Sequence, residues 1–349
     1  MSLEDRLEAF RQRQKGGSSR PAGTRPALLT WEGRLAPGRP LRPRRRYLDI
    51  ETTGFYDGLP VVLIGWAWAE AQDTLHFWQG SPGDLDAEGD LLREALKGGQ
   101  SVVVTYNGTS FDLPRLRSRA VTWDVTLPDW EHEDLLPTAR RLYGHRHIAL
   151  GLSSIGRSLC GINRPPDLPG EGIAENARLF LETGERAFMD EIAAHNRHDL
   201  LALAVLDGRM AADIADAAAG PDLAFGQGRV HLAAGRPEEA LAAFSRVPDD
   251  SPLSQRAGAM AGRAARLAGR MAADHLARAT RPLPAPRAHL ELARALERER
   301  GDVEGAIAAC DAGITALSLL GDMAKGAPLM ALLERRRRRL VRLIGRRRS

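Results

Sequence analysis

Two carboxylates, Asp49 and Glu51, stand two residues apart in Asp49-Ile-Glu-Thr-Thr-Gly54, where a β-branched and aromatic run ends. Side chains at i and i+2 of a strand share one face, so both acids converge on one spot. Such a pair can hold a hard divalent cation, because Mg²⁺ and Mn²⁺ prefer oxygen ligands. The plainer alternative for a lone Asp-x-Glu is a solvated strand end. A third acid closes the segment Tyr106-Asn-Gly-Thr-Ser-Phe-Asp112; here the alternative is capping of a following helix by Ser110 or Asp112. A fourth stands in His195-Asn-Arg-His-Asp199, inside a strongly helical stretch. Residues i and i+4 lie on one helical face, so His195 and Asp199 project together, whereas His198 points about 100° away from Asp199. An exposed ion-paired face is the alternative there.

The elements that must position these groups follow from periodicity. Residues 47–50, 61–69, 74–78 and 101–106 are short runs bounded by turn residues and read as strands. A helical pattern over 85–97 separates the third from the fourth, and helices follow over 135–143, 173–183 and 186–210. This order implies an α/β fold with a mixed sheet flanked by helices. At the amino end, residues 2–14 read as a short helix with Ser2 as N-cap, residues 15–26 as linker, and residues 42–46 as a basic stretch. Beyond about residue 210 the composition turns to Ala, Leu and Arg, and Phe225 and Phe244 are the only aromatics between 207 and 349. Gly235-Arg-Pro-Glu-Glu-Ala-Leu-Ala-Ala-Phe244 and Gly301-Asp-Val-Glu-Gly-Ala-Ile-Ala-Ala-Cys310 both resemble the turn and second helix of a tetratricopeptide repeat, the plainer alternative being an irregular Ala/Leu helical bundle.

Length and composition bound the answer. The 349 residues suggest two domains, and 43% hydrophobic with 27% charged residues excludes a wholly disordered chain. The apolar run 61–69 is too short to span a bilayer, and the charged amino end lacks the apolar core of an export signal. Cys160 and Cys310 form no framework of disulfides, which favours a reducing cytoplasm. Residues 1–46 and 331–349 each carry a net charge of +8, and since the whole chain carries +4, the body between them carries −12. Basic ends point to a polyanion such as nucleic acid, while an acidic body leaves carboxylates available for metal. In the last segment, Leu329, Leu333, Leu340 and Ile344 can dock one face of a final helix and leave arginines to engage a nucleic-acid backbone.

Taken together and in this order, the motifs resemble the DEDD exonucleases of the ribonuclease-H-like fold. They are most similar to one bacterial branch, the YprB-like ribonuclease-H-like proteins, whose members often carry a tetratricopeptide segment behind the nuclease domain. The text that carries the resemblance is Asp49-Ile-Glu-Thr-Thr-Gly, Tyr106-Asn-Gly-x-x-Phe-Asp112, His132-x-Asp134-Leu-Leu, the segment from Leu152-Ser-Ser-Ile to Arg164, and His195-Asn-Arg-x-Asp199-Leu-x-x-Leu. The resemblance implies a five-stranded mixed sheet and four metal-binding carboxylates, Asp49, Glu51, Asp112 and Asp199, holding two Mg²⁺ or Mn²⁺ ions. His195 takes the slot four residues before the last aspartate that many relatives fill with tyrosine; an imidazole there can orient or deprotonate the attacking water. Thr52, Gly54, Asn107 and Phe111 are implied to contact the substrate. The implied activity is 3′ to 5′ hydrolysis of single-stranded or frayed DNA or RNA.

The expected layout is a helix and basic linker over 1–45, a ribonuclease-H-like exonuclease domain over 46–210, a tetratricopeptide-like helical domain over 211–334 and an arginine-rich tail over 335–349. The repeats leave room for a protein partner, with no membrane role and a cytoplasmic location. Two other readings compete. One is an interaction scaffold on a vestigial nuclease fold, against which the retention of four mutually repelling acids argues. The other is a ribonuclease-H-like endonuclease, against which a fourth carboxylate on a helix beside His195 argues.

Overall fold

The computed structural model describes residues 28–54, 58–70, 73–97, 102–163, 170–281, 284–320 and 323–348. The expected helix over 2–14, the linker over 15–26 and Arg164 lie outside the described residues. The chain separates into two compact units, one of residues 1–133 with 164–201, the other of residues 134–163 with 202–349.

The first unit is built on a mixed sheet. Its strands are β1 (Leu28–Leu35), β2 (Arg45–Thr52), β3 (Val61–Ala69), β4 (Leu75–Pro82), β5 (Val102–Thr105) and β6 (His132–Asp134), in the order β1-β4-β3-β2-β5-β6. The first four are joined antiparallel, and β5 runs parallel to β2. The sheet has six strands where five were expected. The strand missing from the sequence reading of this edge is β1, whose segment Leu-Leu-Thr-Trp-Glu-Gly-Arg-Leu carries a glycine and a largely half-exposed pattern. It pairs with β4 from Leu28 opposite Pro82 to Leu35 opposite Leu75, and the Phe77 ring lies against Gly33, where a Cβ would come within 2.9 Å of it. Strand β6, of three residues, is too short to carry a periodic signal.

The sheet is apolar on both faces. On one face Leu48, Ile50, Ile64 and Trp66 pack on Leu91 and Leu92 of α1 (Glu88–Ala95) and Leu113 and Leu116 of α2 (Asp112–Thr122). Glu88, fully buried, ties this side together: it accepts from the Val61 amide (2.9 Å), from Trp123 Nε1 (2.8 Å) and from the Arg119 guanidinium, whose pKa is raised by that bond. On the other face Leu63 packs with Ile173 and Phe180 of α5 (Gly170–Thr183) and with Met189, Ile192 and Ala193 of α6 (Arg186–Ala215). Since Leu48 and Ile50 take the first face, the alternation of β2 sends Asp49 and Glu51 to the second, toward α6.

The second unit is helical: α3 (Leu135–Tyr143), α4 (Leu152–Cys160), the end of α6, then α7 (Pro221–Ala233), α8 (Pro237–Ser245), α9 (Ser254–Leu267), α10 (Ala273–Ala279), α11 (Pro286–Ala295), α12 (Val303–Leu320) and α13 (Met323–Arg348). Phe225 and Phe244, 5.9 Å apart, anchor a core of alanines from α7, α8 and α9. Gly235 and Gly301, which open the two similar sequence segments, both adopt left-handed φ angles (69° and 64°) that let a helix end and the next begin. Among the described residues α12 is the one helix long and apolar enough to cross a membrane; its buried residues pack inside this unit with Leu290, Leu333 and Leu340. Cys160 and Cys310 are both buried, and neither is joined in a disulfide among the described residues.

Candidate active site

The parallel ladder between β2 and β5 ends at Tyr47 and Val104. Beyond it β5 turns away through a tight loop. Asn107 takes a left-handed φ of 69°, and its carbonyl accepts from the amides of Ser110 (3.1 Å) and Phe111 (3.0 Å). Gly108 is required by crowding, since a Cβ there would stand 2.2 Å from Thr105 Oγ1. That hydroxyl in turn meets His132 Nε2 at 2.9 Å. The loop delivers Asp112, only 3% exposed, as the first residue of α2. Its carboxylate accepts from the main-chain amide of Ile50 at 3.2 Å, between the two strand acids. Thus Asp112 replaces a strand partner for β2 at the position where β5 has left the sheet.

Helix α6 supplies the opposing groups. His195 Nε2 lies 3.1 Å from Asp199 Oδ2, and both side chains are 14% exposed, so this pair is not an exposed helical face. One ligand atom each from Glu51, His195 and Asp199 lies within 4.8 Å of the others. Glu51 is itself buried, so Asp-x-Glu is not a solvated strand end either. Asp49 is tied to the same helix by Asn196, whose Nδ2 donates to Asp49 Oδ2 (2.7 Å) and to its carbonyl (3.2 Å). Asn196 Oδ1 accepts from Gln79 Nε2 (2.8 Å), which also donates to the Ala193 carbonyl, while Gln79 Oε1 accepts from Arg197 (3.0 Å). Asn196 and Gln79 are fully buried, and burial lowers the Arg197 pKa. The helix approaches this closely because Gly65, opposite Asp49 on β3, has no side chain; a Cβ there would fall 1.9 Å from Asn196 Oδ1.

The residues expected to meet substrate sit on the two loops that flank the acids. The register of β2 shifts between Glu51 and Thr52, and the buried Thr52 hydroxyl donates to the Gly54 carbonyl (2.5 Å). Asn107 is exposed. Phe111 is half-buried beneath the Arg115 guanidinium, 3.7 Å from its ring centroid. His198 is half-buried and outside the group formed by Glu51, His195 and Asp199. Asp134 accepts from the Leu136 amide (3.0 Å) and caps α3.

The donor set, carboxylate oxygens with one imidazole, suits a divalent cation, and clustered acids repel one another unless positive charge offsets them. Asn196, Gln79 and Gly65 were not singled out by sequence. Asn196 stands inside the His195 motif, but its partners Asp49 and Gln79 lie 147 and 117 positions away, beyond any local pattern.

Strand β2, the Asp112 loop and α6 together define a nuclease-like fold with a carboxylate centre at the end of its sheet. Residues 46–211, just under half of the chain, match the profile of the RNase_H superfamily, in keeping with an RNase H-like domain there. A curated relative, Uncharacterized protein YprB of Bacillus subtilis (strain 168), is 34% identical over 104 residues, covering 29% of this chain. The match spans 25% of the length of that relative.

Proposed function

We propose that the protein is a metal-dependent 3′ to 5′ exonuclease of the DEDD type, acting on single-stranded or frayed nucleic acid. The observation that carries this reading is the convergence of Glu51, His195 and Asp199 within 4.8 Å, with Asp112 and Asn196 locking Asp49 and Ile50 beside them. Asp49, Glu51, Asp112 and Asp199 would hold two Mg²⁺ or Mn²⁺ ions. When bound, such ions lower the pKa of water and neutralise charge on a scissile phosphate. His195 orients the attacking water and takes its proton; the contact with Asp199 fixes its ring. Thr52 and Gly54 approach the terminal nucleotide from one loop, Asn107 and Phe111 from the other.

In this reading residues 46–210 are the catalytic domain, in keeping with the span of the family match. Residues 211–334 form a tetratricopeptide-like segment that takes a protein partner, a reading supported by the paired helices and the left-handed Gly235 and Gly301. Residues 335–349 are an arginine-rich tail, and the protein works in the cytoplasm. The test is digestion of end-labelled linear oligonucleotides in Mn²⁺ beside covalently closed circles of the same sequence. An exonuclease shortens the linear strands from the 3′ end and leaves the circles intact; nicking of circles would assign an endonuclease instead.

A further inference from the structure

The arginines of α13 do not form one uniform basic face. Arg337 is paired with Asp311, and Arg338 lies 3.8 Å from Glu334 on its own helix. Arg335, Arg336 and Arg339 instead turn to α11, where they meet Arg294 around a cavity of about 310 Å³ closed by Leu290 and Leu332. Among the described residues no carboxylate lines this cavity. Two reach its arginines from outside: Glu291 pairs with Arg294 at 2.6 Å, and Glu297 pairs with Arg336 (2.6 Å) and Arg339. Glu291 is shared with Arg266 (3.3 Å), so among the described residues the four guanidinium groups face fewer carboxylates than would neutralise them. Burial, together with the neighbouring Arg339 and Arg294 charges, lowers the Arg336 pKa against the opposing pull of Glu297. Like charges gathered in a half-enclosed space are costly without an anion, and guanidinium forks match the oxygens of phosphate in pairs.

We propose that Arg294, Arg335, Arg336 and Arg339 form a phosphate site on the helical unit, which takes a backbone phosphodiester of a single strand. The inference rests on the nucleic-acid reading above, but it concerns binding remote from the carboxylate chemistry. Leu290 and Leu332 give the strand's sugar an apolar wall, and the guanidinium groups are engaged with phosphate oxygens, which carry no sequence information. Removing residues 335–349 would strip fully buried Leu340 from the core it shares with Leu290 and Leu333, so side chains must be changed instead.

The experiment measures binding of a 5′-fluorescein-labelled single-stranded oligonucleotide to the full chain in chelator, as a function of salt. Chelation removes cleavage, so the result stands apart from any nuclease activity. Arg335→Gln with Arg339→Gln should weaken binding and reduce the log–log salt slope by about 0.7, the contribution of the one phosphate that the site takes. Arg338→Gln with Arg342→Gln removes the same charge outside the cavity and should leave the slope within error of the parent. Inorganic phosphate, compared with chloride at matched ionic strength, should displace the oligonucleotide from the parent. Equal slopes for the two double variants would overturn the site in favour of a diffuse basic helix. Stabilisation of the chain by inorganic phosphate without oligonucleotide binding would overturn the strand as its ligand.

Discussion

Asn196 Nδ2 donates to Asp49 Oδ2 at 2.7 Å, joining a helix to a strand acid 147 positions earlier in the chain. The bond is held from behind, because Gln79 occupies Asn196 Oδ1 and so fixes which end of the amide faces Asp49. Asp49 is thereby restricted to one orientation before any cation arrives, and preorganisation of this kind raises ligand-set affinity. Asn196→Ala should therefore lower Mn²⁺ affinity by roughly 10- to 100-fold, the usual scale for a group that orients a metal ligand. Titration of free Mn²⁺ by its paramagnetic resonance signal measures this without turnover. An unchanged affinity would reduce Asn196 to a packing role.

Gly65→Ala tests the same contact from the opposite strand. The added Cβ would stand 1.9 Å from Asn196 Oδ1 and 2.9 Å from Leu200 Cδ1, so α6 must shift or the amide must turn. Overpacking of this kind costs about 1–3 kcal/mol. Urea unfolding should show a loss in that range together with weaker Mn²⁺ binding. A variant as stable as the parent would mean that helix and strand approach less closely than described.

The two histidines of the motif should behave differently. His195 shares its cluster with Glu51 and Asp199, and His198 does not. His195→Ala should cut kcat by about 10²- to 10⁴-fold, the span of general acid–base contributions, with His198→Ala within a few-fold of the parent. If His198→Ala proves the slower enzyme, the assignment of the helical face is wrong.

Acid should loosen the helical unit. Burial lowers the pKa of His145, His231, His275 and His289 in the folded chain, below the ~6.5 of the unfolded state. The unfolded state then binds more protons, so this stability is complete above about pH 6.5 and declines as pH falls toward the lowered folded values. Thermal unfolding between pH 7.5 and 5.5 should show a falling Tm. Replacing His145, the most buried of the four, with Gln should flatten part of that fall.

Much of the site was legible because its chemistry follows short periods. Asp49 and Glu51 obey the two-residue repeat of a strand, and His195 and Asp199 the four-residue spacing of a helix; the structure brings Glu51, His195 and Asp199 together. Helix α3 falls on the expected residues, and Leu329, Leu333, Leu340 and Ile344 share the apolar face expected of α13. What stayed hidden depends on pairs far apart in the chain. The edge strand β1 gains its structure from β4, some fifty positions later in the chain, rather than from its own pattern. Arg294 joins the α13 arginines only because α11 and α13 pack around α12. Gly65 looks like an interruption of an apolar strand until the helix against it is known.

The central claim is that a carboxylate-held metal centre on β2, α2 and α6 hydrolyses phosphodiester bonds. Asp112→Asn tests it most directly, since asparagine keeps an oxygen that can accept from the Ile50 amide and loses only the charge. The measurement is single-turnover cleavage of a 5′-labelled single strand, with parent and variant, in Mn²⁺ and in excess chelator. The account predicts stepwise shortening from the 3′ end by the parent in Mn²⁺ alone, and background cleavage by a variant with unchanged circular dichroism and Tm. Near-normal cleavage by that folded variant, or cleavage by the parent in chelator, would contradict it.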